Sequence, residues 1–366
     1  MKKLIIGTVF SGIGAPEYAL KKMKIDYSIA FACDNGERNL KLSKEQIDLY
    51  IKKHPNVDIQ EYIESLYANT KKPNNVKKSY YANYSNLLGD WYEDIRYLDA
   101  TKYNKKIDII IGGSPCQSFS ISGYRAGLED TRGTLFYEYA RIVKEVMPKV
   151  FIYENVPGML SHDKGNTFKI ITEVFDSLGY NWKSQVLTAT NFDIPQNRRR
   201  LFVVGIRKDL NVDTFEFPKG DFTNKVIDDF LESSVDHKYF HGEKGFKWVT
   251  SEKSLKKRVS INSKIARTQT ANQQFNWCGN MIFYPISEQK WAKKDERVYI
   301  GTYKGEKGVI RKLTPRECLR LMGYDDKFNI VVPDNVMYRQ CGNSIVVNVL
   351  ESIFESIFKT EVLKKW

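Results

Sequence analysis

A mixed α/β fold is what this sequence predicts: a doubly wound, largely parallel sheet with helices on both faces, joined to a smaller, irregular and mostly β domain. Three features carry that expectation. Through residues 1–207, short apolar runs alternate with helical patterns, the signature of strand–helix–strand units. One run, Ile107-Asp108-Ile109-Ile110-Ile111, reads as a buried strand and breaks into the small-residue loop GGSPCQSFS, Gly112 to Ser120. From about residue 208 to 310 the chain turns irregular, polar and aromatic, with basic groups such as Lys256-Lys257-Arg258.

In chain order, Leu4 to Phe10 reads as the first strand and Ala15 to Met23 as a helix after a glycine turn. Tyr27 to Cys33 is the second strand. Residues 37–84 are helical or polar, long for a simple crossover, and contain KKPNNVKK (Lys71 to Lys78), expected as an exposed loop. Asp108 to Ile111 is a further strand. Thr134 to Met147 is a helix stopped by Pro148, and Val150 to Tyr153 a strand ending in Glu154-Asn155-Val156. Phe168 to Leu178 is a helix closed by Gly179. Trp182 to Ala189 and Leu201 to Ile206 read as paired strands separated by TNFDIPQNRRR. Thr314 to Met322 is a short helix with Thr at the N-cap, Pro at N1 and Glu at N3, a capping box. In the last helix, Ser344 to Phe358, Ile345, Val349, Ile353 and Ile357 recur every fourth residue along one face. That helix is expected to seal the first domain, which gives domains over 1–207 and 208–310 and a return over 311–366.

Composition narrows the function classes. A chain of 366 residues, 42% hydrophobic and 28% charged, has the material for one large core and a smaller one. No apolar run approaches the ~20 residues of a membrane span, and the start, broken by Gly12, Gly14 and Glu17, reads as a strand and not a signal peptide. The cytoplasm is the expected compartment. The five cysteines (Cys33, Cys116, Cys278, Cys318, Cys341) form no CxxC pair and keep no spacing with histidine, so no disulfide framework and no metal site is expected. Each thiol is left to catalysis or plain burial. A net charge of +13 favours a polyanionic partner such as nucleic acid, although a lysine-rich composition alone gives the same sum.

Several short stretches carry chemistry. FSGIGAPE, Phe10 to Glu17, places Gly12 and Gly14 in a strand-to-helix turn, where the helix N-terminus attracts negative charge. The next strand ends at Asp34, where nucleotide-binding folds set a carboxylate for ribose hydroxyls. Together they point to an adenosine-containing cofactor, with NAD and S-adenosylmethionine undivided. Cys116, on a loop at a strand's carboxyl end, has the setting of a reactive thiolate, and Glu154 and Asn155 follow another strand at the same edge. In QNRRR, Arg198 and Arg200 alternate into a strand and so share a face.

The order FSGIG, SPCQ, ENV, QNRRR, RKLTPRE (Arg311 to Glu317) and QCGNS (Gln340 to Ser344) resembles the DNA cytosine-5 methyltransferase family over nearly the full chain. The resemblance implies an S-adenosylmethionine-dependent methyltransferase sheet, with the irregular segment as target recognition domain. It implies Cys116 as the nucleophile that adds to carbon 6 of cytosine, and Glu154 as the acid engaging ring N3 and the amino group. Arg198 and Arg200 would serve the base O2 and the cysteine loop or a phosphate. On the cofactor side it implies Phe10, Ser11, Gly12, Ile13 and Gly14, with Asp34 at the ribose. Asp94, in EDIR, would lie near the adenine amino group, with Asp90 as rival, and Asn343 and Ser344 would support the pocket. No metal is implied.

A cytosine in a duplex cannot reach such a pocket while stacked, so base flipping follows, with the loop Ser118 to Arg132 as the candidate closure. Ser114 stands where some members have a second proline, and residues 37–84 exceed a minimal member. The expected partner is double-stranded DNA, in a restriction-modification or orphan setting, with a possible cognate restriction endonuclease acting independently. A monomer is expected. The stretch Arg267 to Asn280 has side chains suited to reading base edges or to packing on its own domain. Rival readings are a tRNA cytosine-5 methyltransferase, a catalytically dead DNA-binding module and, more distantly, an NAD oxidoreductase.

Overall fold

The computed structural model of the chain describes residues 3–114, 135–212, 215–274, 277–289, 292 and 295–363. They form two compact units. The first comprises Met1–Leu187, Arg199–Pro218 and Leu350–Trp366, and the second Thr188–Arg198 and Lys219–Val349.

The first unit begins with β1 (Leu4–Val9), α1 (Ala15–Lys22) and β2 (Tyr27–Cys33). Three helices follow: α2 (Lys44–Lys53), α3 (Ile59–Ala68) and α4 (Asn75–Tyr84). Then come β3 (Leu88–Tyr92), β4 (Ile109–Gly112), α5 (Leu135–Val146), β5 (Val150–Asn155), α6 (Asn166–Ser177) and β6 (Tyr180–Thr188). After the short β7 (Gln196–Asn197) of the second unit, β8 (Arg199–Arg207) completes a seven-stranded sheet of order β3-β2-β1-β4-β5-β8-β6. Strands β3 to β5 are mutually parallel and β8 runs antiparallel to β5. The doubly wound sheet and the pairing of β6 beside β8 are as the sequence predicts.

Burial explains the strand sequences. Ile109, Ile110, Ile111, Phe151 and Ile152 are all at most 1% exposed, which accounts for near-continuous apolar runs where both faces are covered. Helix α5 turns Phe136, Tyr139, Ala140 and Val143 into the same core as Phe31, Ile110 and Phe175, each large side chain contributing roughly 1.5–3 kcal/mol of burial. The long stretch after β2 is three capped helices. Ser43, Asp58 and Asn74 each accept a backbone N–H at an N-cap. The Asn74 cap starts α4 inside KKPNNVKK, so the expected exposed loop covers only the first half of that segment.

The second unit holds α7 (Glu243–Val249), α8 (Glu252–Lys257), β9 (Val259–Ile261), β10 (Ala266–Arg267), β11 (Gly279–Pro285), β12 (Gly301–Tyr303) and β13 (Glu306–Lys312). Four of these strands form a sheet of order β12-β13-β11-β9, and β10 pairs with β7. Phe246, Val249, Val259, Met281, Phe283 and Ile310 make its core. Helices α9 (Pro315–Arg320) and α10 (Asp334–Asn343) follow, then α11 (Val347–Lys359), whose later residues return to the first unit. The capping box at Thr314 is present, and its Glu317 also takes both guanidinium ends of Arg311 at 2.8 Å, with both side chains 0% exposed. This pair locks the end of β13 to α9. Residues 311–349 therefore belong with the second unit, and the return comes at Leu350, later than the expected 311. Helix α10 has no apolar period in DNVMYRQCGN, and the sequence predicts no helix there, only the last one from Ser344.

Among the described residues no helix is long and apolar enough to cross a membrane, and no cluster of His, Cys, Asp and Glu could hold a metal ion.

Candidate active site

Strand register gathers the predicted residues. Tyr92, Cys33, Val9, Gly112 and Tyr153 lie on one register line across β3, β2, β1, β4 and β5. Glu93, Asp34, Phe10, Gly113 and Glu154 each follow by one residue, at the carboxyl edge where open α/β sheets bind ligands. Because β8 is antiparallel, it starts at that edge: Leu201 pairs with Asn155 and Phe202 with Glu154, which puts Arg200 at the rim.

On one half of the rim, Arg200 Nε meets Glu154 Oε1 at 2.9 Å, both side chains mostly buried. Glu154 also explains a glycine. A Cβ on Gly113 would lie 2.7 Å from both the backbone oxygen and Oε2 of Glu154. The chain just ahead of the cysteine is held by three side chains. Asn155 Nδ2 donates to Ser114 O at 3.0 Å and to the Tyr153 hydroxyl at 2.9 Å, and that hydroxyl shares a 2.7 Å bond with Ser114 Oγ. Ser114, the departure from a second proline, is thus fixed by Tyr153, a partner the sequence reading missed. Cys116 and the Ser118 to Arg132 loop lie outside the described residues. Of the other cysteines, Cys33, Cys318 and Cys341 are buried, and burial pushes each thiol well up from its ordinary value. They are inert core groups. Cys278 donates to Asn272 O at 3.1 Å.

Arg198 has a different place from the one its alternation with Arg200 suggests. It belongs to the second unit, 3% exposed, and donates to the backbone oxygens of Gln269 at 2.7 Å, Gly342 at 3.1 Å and Ser344 at 2.6 Å. Those contacts make it an anchor for two chain segments, one at Gln269 and one at Gly342 to Ser344. It sits between β7 and β8, where the strand pattern behind the expectation does not hold. Ser344 is buried and its Oγ shares a 2.9 Å bond with the Tyr324 hydroxyl, while Asn343 is exposed at the end of α10.

The other half of the rim centres on the glycine turn after β1. Phe10, Gly12 and Gly14 have φ of 52°, 54° and 76°, which curl the chain tightly between β1 and α1. Among the described residues a Cβ on Gly12 would meet only Phe10 O, at 3.9 Å, which leaves its backbone open on that side. Ile13 is 1% exposed and packs inward. Ser11 Oγ accepts from Cys33 N at 3.0 Å and bonds Thr8 Oγ1 at 2.9 Å. Asp34 Oδ2 accepts from Gly12 N at 2.9 Å and Oδ1 from Gly36 N at 2.8 Å, which among the described residues leaves a lone pair on each oxygen for a diol. Burial raises its carboxyl from the ordinary value and the two amides pull it back. This open glycine turn, helix N-terminus and carboxylate fit an adenosine ligand. Asp94 is 6% exposed, two residues past β3, whereas Asp90 pairs with Phe31 in mid-strand and bonds Lys102 and Tyr103.

The α2–α4 segment backs this half. Tyr84 donates to Gly14 O at 2.8 Å, and its ring lies so close that a Cβ on Gly14 would come within 2.3 Å. Tyr80 donates to Glu17 Oε1 at 2.5 Å, and Thr8 to the same oxygen at 2.9 Å. Glu17 is fully buried, and burial pushes its carboxyl up to about 7. Asn74 donates to Asp34 O at 2.9 Å, and Arg38 pairs with Glu93. Tyr80 and Tyr84, four apart on a helix, were the only sequence signal for this support.

Comparison with known proteins agrees with this geometry. Residues 6–359 match the profile of the C-5 cytosine-specific DNA methylases. The chain is 36% identical over 275 residues to the Type II methyltransferase M.HhaI of Haemophilus parahaemolyticus, covering 71% of this chain and 79% of that protein. It is 27% identical over 480 aligned positions to the orphan methyltransferase M.SPRI of Bacillus phage SPR, covering all of both. Among solved structures, a Spodoptera frugiperda DNMT2 mutant superposes with a TM-score of 0.64 at 18% identity, covering 97% of this chain and 100% of that one, a likeness of fold.

Proposed function

The chain belongs to the C-5 cytosine-specific DNA methylase family, and from that premise we propose how its own residues carry the reaction. It is a DNA cytosine-5-methyltransferase whose methyl donor is S-adenosylmethionine. Bound, that donor supplies an electrophilic methyl group on a sulfonium. Phe10, Ser11, Gly12, Ile13 and Gly14 form the turn that holds its adenosine and amino acid portions, Asp34 takes the ribose hydroxyls, and Asp94 faces the adenine amino group. Asn343 and Ser344 join this set on the family motif alone.

Carbon 5 of an intact cytosine is a poor nucleophile. Cys116 corrects this by bonding its thiolate Sγ to carbon 6, which moves ring electron density to carbon 5. Once carbon 5 has been substituted, loss of its proton lets the Sγ–C6 bond break and restores the ring. Glu154 donates to N3 and accepts from the amino group, meeting the charge that develops on the ring. Arg200 orients Glu154 through their ion pair and serves the base O2. Arg198 is an anchor within the second unit. The observation that carries this reading is the Glu154–Arg200 pair packed against Gly113, three residues ahead of Cys116 on one strand-end rim.

Reading of the target falls to the second unit, with Arg267 to Asn280 a candidate recognition stretch, and the cytosine is flipped from the duplex to reach the rim. The enzyme is read as a cytoplasmic monomer of restriction-modification or orphan type, with any cognate nuclease acting separately. Bisulfite sequencing of a host expressing the protein tests this reading. One short motif methylated at carbon 5 supports it, whereas unmethylated DNA with labelled tRNA in the same cells overturns it.

A further inference from the structure

Asp94 is the acid assigned above to the adenine amino group, yet its oxygens are already in use. Oδ1 accepts from Arg96 N at 3.1 Å and Arg96 Nε at 2.9 Å. Oδ2 accepts from Arg96 Nη2 at 2.5 Å and from the Tyr67 hydroxyl at 2.9 Å. A carboxylate has about four lone-pair sites, and four donors fill them. An amino group arriving at Asp94 must displace one. Three of the four belong to Arg96, whose charged fork chelates both oxygens and which Asp94 in turn caps. The fourth is a neutral phenol that makes one bond to Asp94 and also meets the Asn35 side chain.

Tyr67 does not come from the rim. It stands on α3, in the stretch that exceeds a minimal member of the family, and it is 2% exposed. Its place is firmly set. The Arg38 guanidinium lies over its ring at 4.7 Å and donates to its backbone oxygen at 3.2 Å, while also pairing with Glu93 beside Asp94. The hydroxyl is delivered to Asp94 by a braced side chain and, once displaced, has the Asn35 side chain to turn to.

We propose that Tyr67 competes with the cofactor's adenine amino group for Asp94, and so sets how tightly the enzyme holds its methyl donor and the demethylated product. The inference rests on the placement of Asp94 at the adenine. Tyr67 acts through Asp94 and is a positioning residue. Arg96 alone holds the carboxylate in place, so removing the phenol oxygen opens a lone pair without loosening the acid. The inserted helices then have a function: they weaken the grip on adenosine, which favours release of product after each turnover.

Calorimetric titration of the full chain with S-adenosylhomocysteine and with S-inosylhomocysteine tests this. The inosyl compound carries oxygen in place of the amino group and offers Asp94 no donor there. Tyr67→Phe is expected to lower the Kd of the adenosyl compound about tenfold, the scale of one competing hydrogen bond to a charged group, and to leave the inosyl Kd unchanged. The ratio of the two is internal to each variant, so a partly folded preparation does not distort it. An unchanged or reduced preference for the adenosyl compound in Tyr67→Phe overturns the competition. Asp94→Ala, which removes both acceptor oxygens, separates the two levels: if it leaves the adenosyl preference intact, the placement of Asp94 at the adenine falls, and the competition with it. If Asp94→Ala removes the preference while Tyr67→Phe does nothing, only the competition falls.

Discussion

Replacing Glu17 by Gln reads out the cost of a buried acid beneath the glycine turn. Its Oε1 receives Tyr80 and Thr8, while Oε2 is buried with no hydrogen-bond partner among the described residues. The phenol of Tyr27, which donates to its backbone oxygen, is the other titratable group beside it. Burial raises the carboxyl from 4.5 to about 7. A group whose folded value is raised contributes stability that is fully present below the unfolded value and lost as pH climbs through the folded one. Each pH unit between the two costs about 1.4 kcal/mol, so moving from pH 5 to pH 8 removes about 2.5 kcal/mol through this residue. Gln cannot ionise, and its carbonyl still accepts from Tyr80 and Thr8. Urea unfolding of both proteins at pH 5, 6, 7 and 8 is therefore expected to show a stability difference that shifts toward the variant by about 2–3 kcal/mol over this range. Shared pH effects cancel in the difference. A difference that stays flat across this range refutes the assignment of a buried, proton-holding Glu17.

Other perturbations probe separate parts of the account. Gly14→Ala meets the Tyr84 ring and a φ of 76° together, and should lower stability by about 2–4 kcal/mol; adding Tyr84→Ala should recover part of that in thermal melts. Glu317→Gln removes the charge that offsets the fully buried Arg311 and should cost about 3–5 kcal/mol in urea unfolding. Glu154→Gln should reduce single-turnover methylation about 10²–10⁴-fold with the melting temperature little changed. Arg200→Ala should fall in the same direction by a smaller factor, since the carboxylate survives but loses its orienting partner.

The first sheet was legible because its strands are buried on both faces, so Tyr27 to Cys33 and Ile109 to Ile111 stand out as apolar runs with abrupt ends. The rim followed from those ends, which is why Asp34, Gly113 and Glu154 fall on one line. Capping chemistry is local, and the Thr314 box was readable to the residue. What sequence could not show was long-range. Arg198 and Arg200 look equivalent two residues apart, yet one spends its donors on carbonyls of Gln269, Gly342 and Ser344 and the other orients an acid. Tyr67 and Tyr84 read as ordinary helical aromatics because their partners, Asp94 and Gly14, lie 27 and 70 residues away. Helix α10 escaped because its buried residues, Met337, Tyr338, Gln340 and Cys341, mix polar with apolar.

The proposed reaction requires a covalent bond between Cys116 and the target cytosine. Duplex DNA carrying 5-fluorocytosine at the methylated position tests it directly, because fluorine in place of the carbon 5 proton blocks release of the enzyme. In the presence of S-adenosylmethionine the account predicts a denaturation-stable protein–DNA complex whose DNA-bearing peptide contains Cys116, and no such complex with Cys116→Ser. A complex that persists in Cys116→Ser, or one that maps to another residue, contradicts it.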